Sequence, residues 1–299
     1  MQIEANGIKL EVEEHGPRDG VPLILIRGQG SQLVHWPNAL IEGFAGAGFR
    51  TILFDNRDVG LSQRCPSDGV PGNADAILEL VRAGGELPAL YGIMDMAEDV
   101  IGLMDALRIE RAHVLGISMG GAILQQICID HPNRLLSATI VMTACRPFEE
   151  VAGGDPAARL AMIENLLVRP RSLQKYSDEQ VAEHAKWGSP GYPMPEAEIR
   201  AMAERAYARG VDDEGMNRQV LAVSKAPDRR PALRKVSLPC LVIHGSDDKL
   251  LPPQLGREIA AHIPESEFHE VEGMGHIITP ALSPVIVETV SDFINRRAA

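Results

Sequence analysis

Short apolar runs recur along the chain, and most of them end at a glycine or an acid. Residues 21–26, 51–54, 113–115, 138–142 and 240–244 are three to six residues long and carry few charges on either face of an extended backbone. Strands apolar on both faces need cover on both, which predicts a mainly parallel sheet between helical layers. The N-terminal stretch 3–15 instead alternates loosely around Asn6-Gly7, a pair suited to a tight hairpin turn. Helical spacing appears between the runs. Met96, Val100, Leu103, Met104 and Leu107 share one stripe over 95–107, with Asp95 available as a cap. Residues 119–130 form a second helix that stops near Pro132, and 284–297 a last one with Pro in its first turn and two arginines in its final turn.

The middle of the chain has a different texture. From 146 to 230 no run reads as a strand, and helices are expected over 157–167, 178–187, 196–209 and 213–224. Residues 145–231 hold 14 acids against 13 Lys and Arg, while the remainder carries nearly all of the net charge. The expected organisation is an α/β core from 1–144 and 232–299, with a helical cap inserted at 145–231. A connection as long as 60–92 is unusual without structure of its own, so a short helix is expected at 73–81, near the mouth of a site.

Composition narrows the function. A net charge of -12 disfavours nucleic acid and anionic membrane surfaces. The longest early apolar run is six residues, far short of the roughly twenty of a membrane span, and Met1-Gln2-Ile3-Glu4 does not open like a signal peptide. Cys65, Cys128, Cys145 and Cys240 lie far apart, with neither disulfide-framework nor metal-ligand spacing. These features give the expectation of a reduced, cytoplasmic enzyme without membrane insertion. Oligomeric state leaves no mark on the sequence.

The chemistry gathers at strand ends. Gly116-Ile117-Ser118-Met119-Gly120 is a G-x-S-x-G element between a short strand and a helix, a context that holds serine in a strained turn above the sheet. The alternative is a serine that merely caps a helix. The helix N-terminus also aims free backbone N–H groups toward charge developing near Ser118. A serine hydroxyl needs a base. Of nine histidines, His276 leaves the last expected strand through Glu272-Gly273-Met274-Gly275, a flexible loop able to carry an imidazole over the sheet. His113, His244 and His269 lie in strands, His131, His184 and His262 on helices or at their ends, and His15 near the hairpin. An orienting carboxylate should follow another strand. After 240–244 both Asp247 and Asp248 qualify, and Leu250, Leu251 and Pro252 behind Asp248 would fix its position. The chain order serine, acid, histidine matches one of the three serine-triad arrangements.

These segments together resemble the α/β-hydrolase superfamily, nearest to capped serine esterases that include anthracycline (aclacinomycin-type) methylesterases. The resemblance runs through Leu25-Ile26-Arg27-Gly28-Gln29-Gly30 with Trp36 after it, Asp55-Asn56-Arg57-Asp58-Val59-Gly60-Leu61-Ser62, the serine turn, His244 to Pro252, and Gly273 to His276. It implies Ser118 as nucleophile, Asp248 as the acid four residues before proline, and His276 as the base. It also implies an oxyanion hole made by the backbone N–H groups of Gln29 and Met119; the glycines flanking Gln29 allow the close approach this needs. Lookalikes with an aspartate nucleophile, such as haloalkane dehalogenases, do not fit Ser118. One departure is Arg27, where many members have histidine. A salt bridge to a nearby acid is the expected role of Arg27, ahead of contact with a substrate carboxylate. The stretch 55–58 is expected to be a buried turn network.

The implied activity is hydrolysis, without cofactor or metal, of carboxylic esters of small to medium, mainly apolar molecules through an acyl-enzyme. Met162, Leu166, Leu167, Trp187, Tyr192, Met194, Met202 and Tyr207 of the cap face Leu33, Trp36, Met142 and Ile277 as candidate lining, although more than half should simply pack cap on core. An amide hydrolase of the iminopeptidase type is the alternative. It would hold a substrate amine at Glu149-Glu150 or Asp212-Asp213-Glu214. A noncatalytic binding protein on the same fold is a third reading.

Overall fold

The computed structural model describes residues 1–298. Asn6 and Gly7 take φ of 49° and 73°, the left-handed values a two-residue hairpin turn requires, and join β1 (Gln2–Ala5) to β2 (Ile8–His15). The other strands are β3 (Val21–Ile26), β4 (Phe49–Phe54), β5 (Ala112–Ile117), β6 (Leu135–Val141), β7 (Cys240–Gly245) and β8 (Glu267–Val271). They make one sheet in the order β1-β2-β4-β3-β5-β6-β7-β8, in which β2 runs antiparallel to both β1 and β4 and every other pair is parallel.

Alternation along each strand divides the core. Ile24, Ile26, Val114, Ala138, Ile140 and Val242 face one side, packing on α3 (Ile93–Ala106), α4 (Met119–Asp130) and α11 (Gln254–His262). Leu23, Leu25, Leu115, Ile117, Val141 and Ile243 face the other, packing on α1 (Asn38–Gly46) and α12 (Ser283–Ala298). Asp95 is not the N-cap of α3; Gly92 is, and Asp95 one turn in accepts the Gly92 N–H at 2.7 Å. The helix expected in the 60–92 connection is present as α2 (Ala74–Arg82), its N-cap Asn73 accepting from the Asp75 and Ala76 N–H groups.

Six helices lie between β6 and β7: α5 (Phe148–Val151), α6 (Pro156–Leu166), α7 (Leu173–Trp187), α8 (Glu196–Arg209), α9 (Asp213–Ser224) and α10 (Arg230–Leu233). No strand occurs among them. α7 starts five residues before its expected start because Ser172 caps it, accepting the Lys175 N–H. α10 crosses residue 231 and packs mainly on α4 and α11 of the core, with Arg230 reaching Glu150 of α5. α2 joins this insertion, since Ile77, Leu78 and Val81 share an apolar cluster with Ile163, Leu167, Val220 and Leu221.

Candidate active site

Ile26 of β3 pairs with Gly116 of β5, so the two strands end side by side and their following loops meet. The turn after β5 leaves almost no room. A Cβ on Gly116 would stand 2.2 Å from the Gly120 carbonyl oxygen, and one on Gly120 would stand 2.3 Å from that of Ile26. Between them Ser118 is held at φ 54° and ψ -121°, a conformation costing of order 1–3 kcal/mol for a residue with a side chain. Its N–H is anchored to the Val141 carbonyl at 3.0 Å, and α4 begins at the next residue. Helix capping does not account for this serine, whose side chain makes no cap bond.

His276 Nε2 lies 3.0 Å from Ser118 Oγ, and His276 Nδ1 lies 2.7 Å from Asp248 Oδ2. The loop carrying His276 is fixed from the insertion: its N–H donates to the Trp187 carbonyl at 2.7 Å, and the Gly275 N–H donates to Ser189 Oγ at 2.9 Å. Asp248 is 4% exposed and fully engaged. Oδ1 accepts the Leu250 and Leu251 N–H groups at 3.0 and 2.9 Å, while His244 Nε2 stands 3.4 Å from Oδ2. Burial alone would raise its pKa. The neighbouring His276 and these hydrogen bonds outweigh burial and hold the carboxyl well below its usual range. Asp247 is half-buried and takes the Ser246 hydroxyl, away from the imidazole. His244, fully buried, donates to the Leu251 carbonyl at 2.8 Å and so braces the same turn.

Gln29 and Met119 stand where their loops converge on the serine: a Cβ on Gly28, next to Gln29, would be 3.2 Å from Ser118 Cβ. Among the described residues, neither the Gln29 nor the Met119 N–H is used by a turn or loop hydrogen bond. The loop is held from outside by Gln219, which the sequence pattern did not mark, and by Asp55 of the expected turn network. Gln219 of α9, fully buried, accepts the Gly30 N–H at 2.8 Å and donates to the Arg57 carbonyl at 2.7 Å. Asp55 accepts the Leu33 N–H at 2.6 Å.

Residues 21–279 match the sequence model of the alpha/beta hydrolase fold. The chain belongs to the α/β-hydrolase family. This α/β hydrolase is 27% identical over 300 residues to rhodomycin D methylesterase of Streptomyces peucetius, covering 94% of this chain and 93% of that one. The enol-lactonase from Burkholderia xenovorans superposes with a TM-score of 0.76 at 25% identity, over 99% of this chain and all of its own. A thermophilic esterase from Thermogutta terrifontis shares the fold, with a TM-score of 0.73 at 21% identity over 100% and 99% of the two chains.

Two further expectations for the hydrolase meet the structure differently. The stretch 55–58 is a buried network, as its pattern implied. Asp55 takes Arg209 of α8 at 2.6 Å, Arg57 pairs with Asp99 at 2.6 Å, and Asp58 takes Arg218 of α9 at 2.7 Å and the Tyr91 hydroxyl at 2.6 Å. The salt bridge expected of Arg27 is not formed. Among the described residues no acid pairs with it, and its guanidinium lies over the Trp36 ring, 4.6 Å from the centroid. Of the candidate lining, Leu33, Trp36, Met142 and Met202 are core residues below 9% exposure, and Tyr207 packs against Tyr176. No helix among the described residues is long and apolar enough to cross a membrane.

Proposed function

We propose that this α/β hydrolase cleaves carboxylic esters of small to medium, mainly apolar molecules, with Ser118 as nucleophile, His276 as base and Asp248 as its orienting acid. The observation that carries the reading is the imidazole held between the Ser118 hydroxyl and a buried, fully bonded carboxylate. His276 takes the hydroxyl proton as the oxygen attacks the ester carbonyl, and the Gln29 and Met119 N–H groups bind the oxyanion. The imidazolium then protonates the leaving alcohol, and a water activated by the same nitrogen releases the acid from the acyl-enzyme. Asp248 keeps the proton on Nδ1 and stabilises the imidazolium without taking the proton. Helices of the insertion act as a cap over this site, and the substrate partner is a small-molecule ester.

The relatives support ester chemistry, one being a methylesterase and another an enol-lactonase. The amide alternative draws less support. Most of the acids that would hold a substrate amine are already committed, Glu149 to Arg159 at 3.6 Å, Glu150 to Arg230 at 2.8 Å, Asp212 to Arg64 at 2.9 Å and Asp213 to Arg171 at 2.9 Å, which leaves only Glu214 without an ion pair among the described residues.

A fluorophosphonate should label folded protein at Ser118, with Ser118→Ala unlabelled and inactive, and a p-nitrophenyl ester should outpace an amino-acid anilide by orders of magnitude. No adduct on the folded wild type would leave a noncatalytic binding protein as the better reading. A faster anilide would leave the iminopeptidase.

A further inference from the structure

We propose that the Arg27 guanidinium receives a carboxylate carried by the ester, so that the preferred substrates are apolar esters bearing one free carboxylate, such as half-esters of dicarboxylic acids. This rests on the serine-hydrolase reading and specifies its substrate class.

The first observation is a contrast among arginines. Arg57, Arg171, Arg218 and Arg229 are buried, Arg27 is half-buried, and each of the first four meets acceptors: Asp99, Asp213 with Glu179, Asp58, and Gln125 Oε1 with the Ala144 carbonyl, respectively. Arg27 meets none among the described residues. Its Nε is sealed from solvent without an acceptor, and its one defined contact is the face of Trp36, itself 2% exposed. An arginine has five N–H donors and no acceptor, so stacking on an aromatic face leaves its hydrogen-bonding edge unsatisfied. A half-buried cation with a sealed, unpaired donor is costly unless something pairs with it.

Position is the second observation. Arg27 follows Ile26 at the end of β3 and precedes Gly28, whose Cβ position abuts Ser118, so its backbone belongs to the wall of the reaction centre. By strand alternation its side chain leaves on the face of Leu23 and Leu25, the face that also holds Met274 and Ile278 on either side of His276. The residue keeps partial exposure, so the donor edge is not closed off.

The third concerns charge. Burial lowers the Arg27 pKa only to about 9, which leaves it cationic at neutral pH. The titratable neighbours do not neutralise it. Burial first, and then the charge of Arg27, push His35 down to about 3; burial is also the main reason His184 is lowered, with Arg27 adding to it. Both stay uncharged and neither offers a negative charge. A flat guanidinium edge matches the two oxygens of a carboxylate. One charge suits the site better than several, because the chain as a whole carries -12 and repels polyanions.

The test compares p-nitrophenyl half-esters of succinate, glutarate and adipate with the p-nitrophenyl esters of butyrate, valerate and hexanoate. At least one half-ester should exceed its neutral match in kcat/KM by about tenfold or more. Arg27→Met, which keeps an apolar stem on Trp36, should reduce that ratio by about 10- to 100-fold, the usual worth of a charge-assisted pair. Arg27→Lys should fall between the two. A measurement on wild type alone guards against misfolded variants: hexanoate should inhibit at least tenfold more tightly than hexanamide. Equal inhibition, no half-ester preference, or a ratio unchanged in Arg27→Met overturns the carboxylate assignment. If Ser118 still labels with fluorophosphonate and neutral esters still turn over, the assignment alone has failed. Absence of labelling would instead remove the hydrolase reading beneath it.

Discussion

Replacing Gln219 with Leu separates the catalytic loop from its outside support while leaving Ser118, Asp248 and His276 in place. In the structure the Gln219 side chain satisfies two backbone groups, the Gly30 N–H and the Arg57 carbonyl, at 2.8 and 2.7 Å with no exposure of its own. Leucine fills similar volume and leaves both groups unpaired. An unsatisfied buried polar group costs about 1–3 kcal/mol, so a stability loss of about 2–4 kcal/mol is expected. The catalytic loss follows from geometry. The peptide whose N–H is freed joins Gln29 to Gly30, adjacent to the peptide that supplies the Gln29 N–H. Removing an oxyanion donor outright costs about 10²–10³-fold in kcat. A donor that remains but is no longer aimed should cost less, about 10- to 100-fold, mostly in kcat with KM changed little. Asn217→Leu is the matched control. Asn217 lies on the same helix, is equally buried, and bonds the Val168 N–H and the Val168 and Gly72 carbonyls, none of them in the oxyanion loop. Urea unfolding reports stability for both variants, and steady-state rates on a neutral p-nitrophenyl ester report catalysis. Equal kcat losses in the two, or an unchanged kcat in Gln219→Leu, would refute the positioning role.

Two other outcomes follow from the site and its surroundings. Asp248→Asn preserves an acceptor for the Leu250 and Leu251 N–H groups but mis-sets the imidazole proton, so kcat should fall by about 10⁴-fold with native circular dichroism; a loss below tenfold would remove Asp248 from the machinery. Acid should destabilise the fold before carboxylates titrate: burial holds His35 at about 3 and His113 at about 4, so the unfolded chain binds these protons first as pH falls below about 6.5, and by pH 5 each costs about 2 kcal/mol. His35→Gln should flatten the slope of unfolding free energy between pH 7 and 5, and an unchanged slope would show that His35 does not titrate on unfolding.

The core was legible where neighbours in sequence are neighbours in space. The serine turn is marked by Gly116, Ser118 and Gly120 and the hairpin by Asn6 and Gly7, so both could be read within a few residues, although the glycine at 120 answers to the distant Ile26 carbonyl. Asp247 and Asp248 could not be separated from the residues alone, because both follow the same strand. What distinguishes them is a three-dimensional fact: Asp248 is the one wrapped by Leu250 and Leu251 N–H groups and turned to His276. Gln219 left no signal, since a glutamine amid a helical stripe reads as surface, and its partner Gly30 is 189 residues away. Arg27 misled for the converse reason. Charge pairing is the ordinary fate of an arginine at a strand end, and nothing in the sequence records that among the described residues no acid comes within ion-pair distance of Arg27.

The two aspartates that receive Arg209 and Arg218 have a consequence for how this protein can change. Deleting the inserted segment, or grafting one from a relative, would strand Asp55 and Asp58 as buried anions shorn of their counterions, and breaking such a pair costs about 3–5 kcal/mol. The second half of the insertion, α8 and α9, is therefore welded to the body, whereas α6 buries only Ile163 among its eleven residues. Altered selectivity should arise by drift in the loosely tethered α6, with the riveted helices inherited intact.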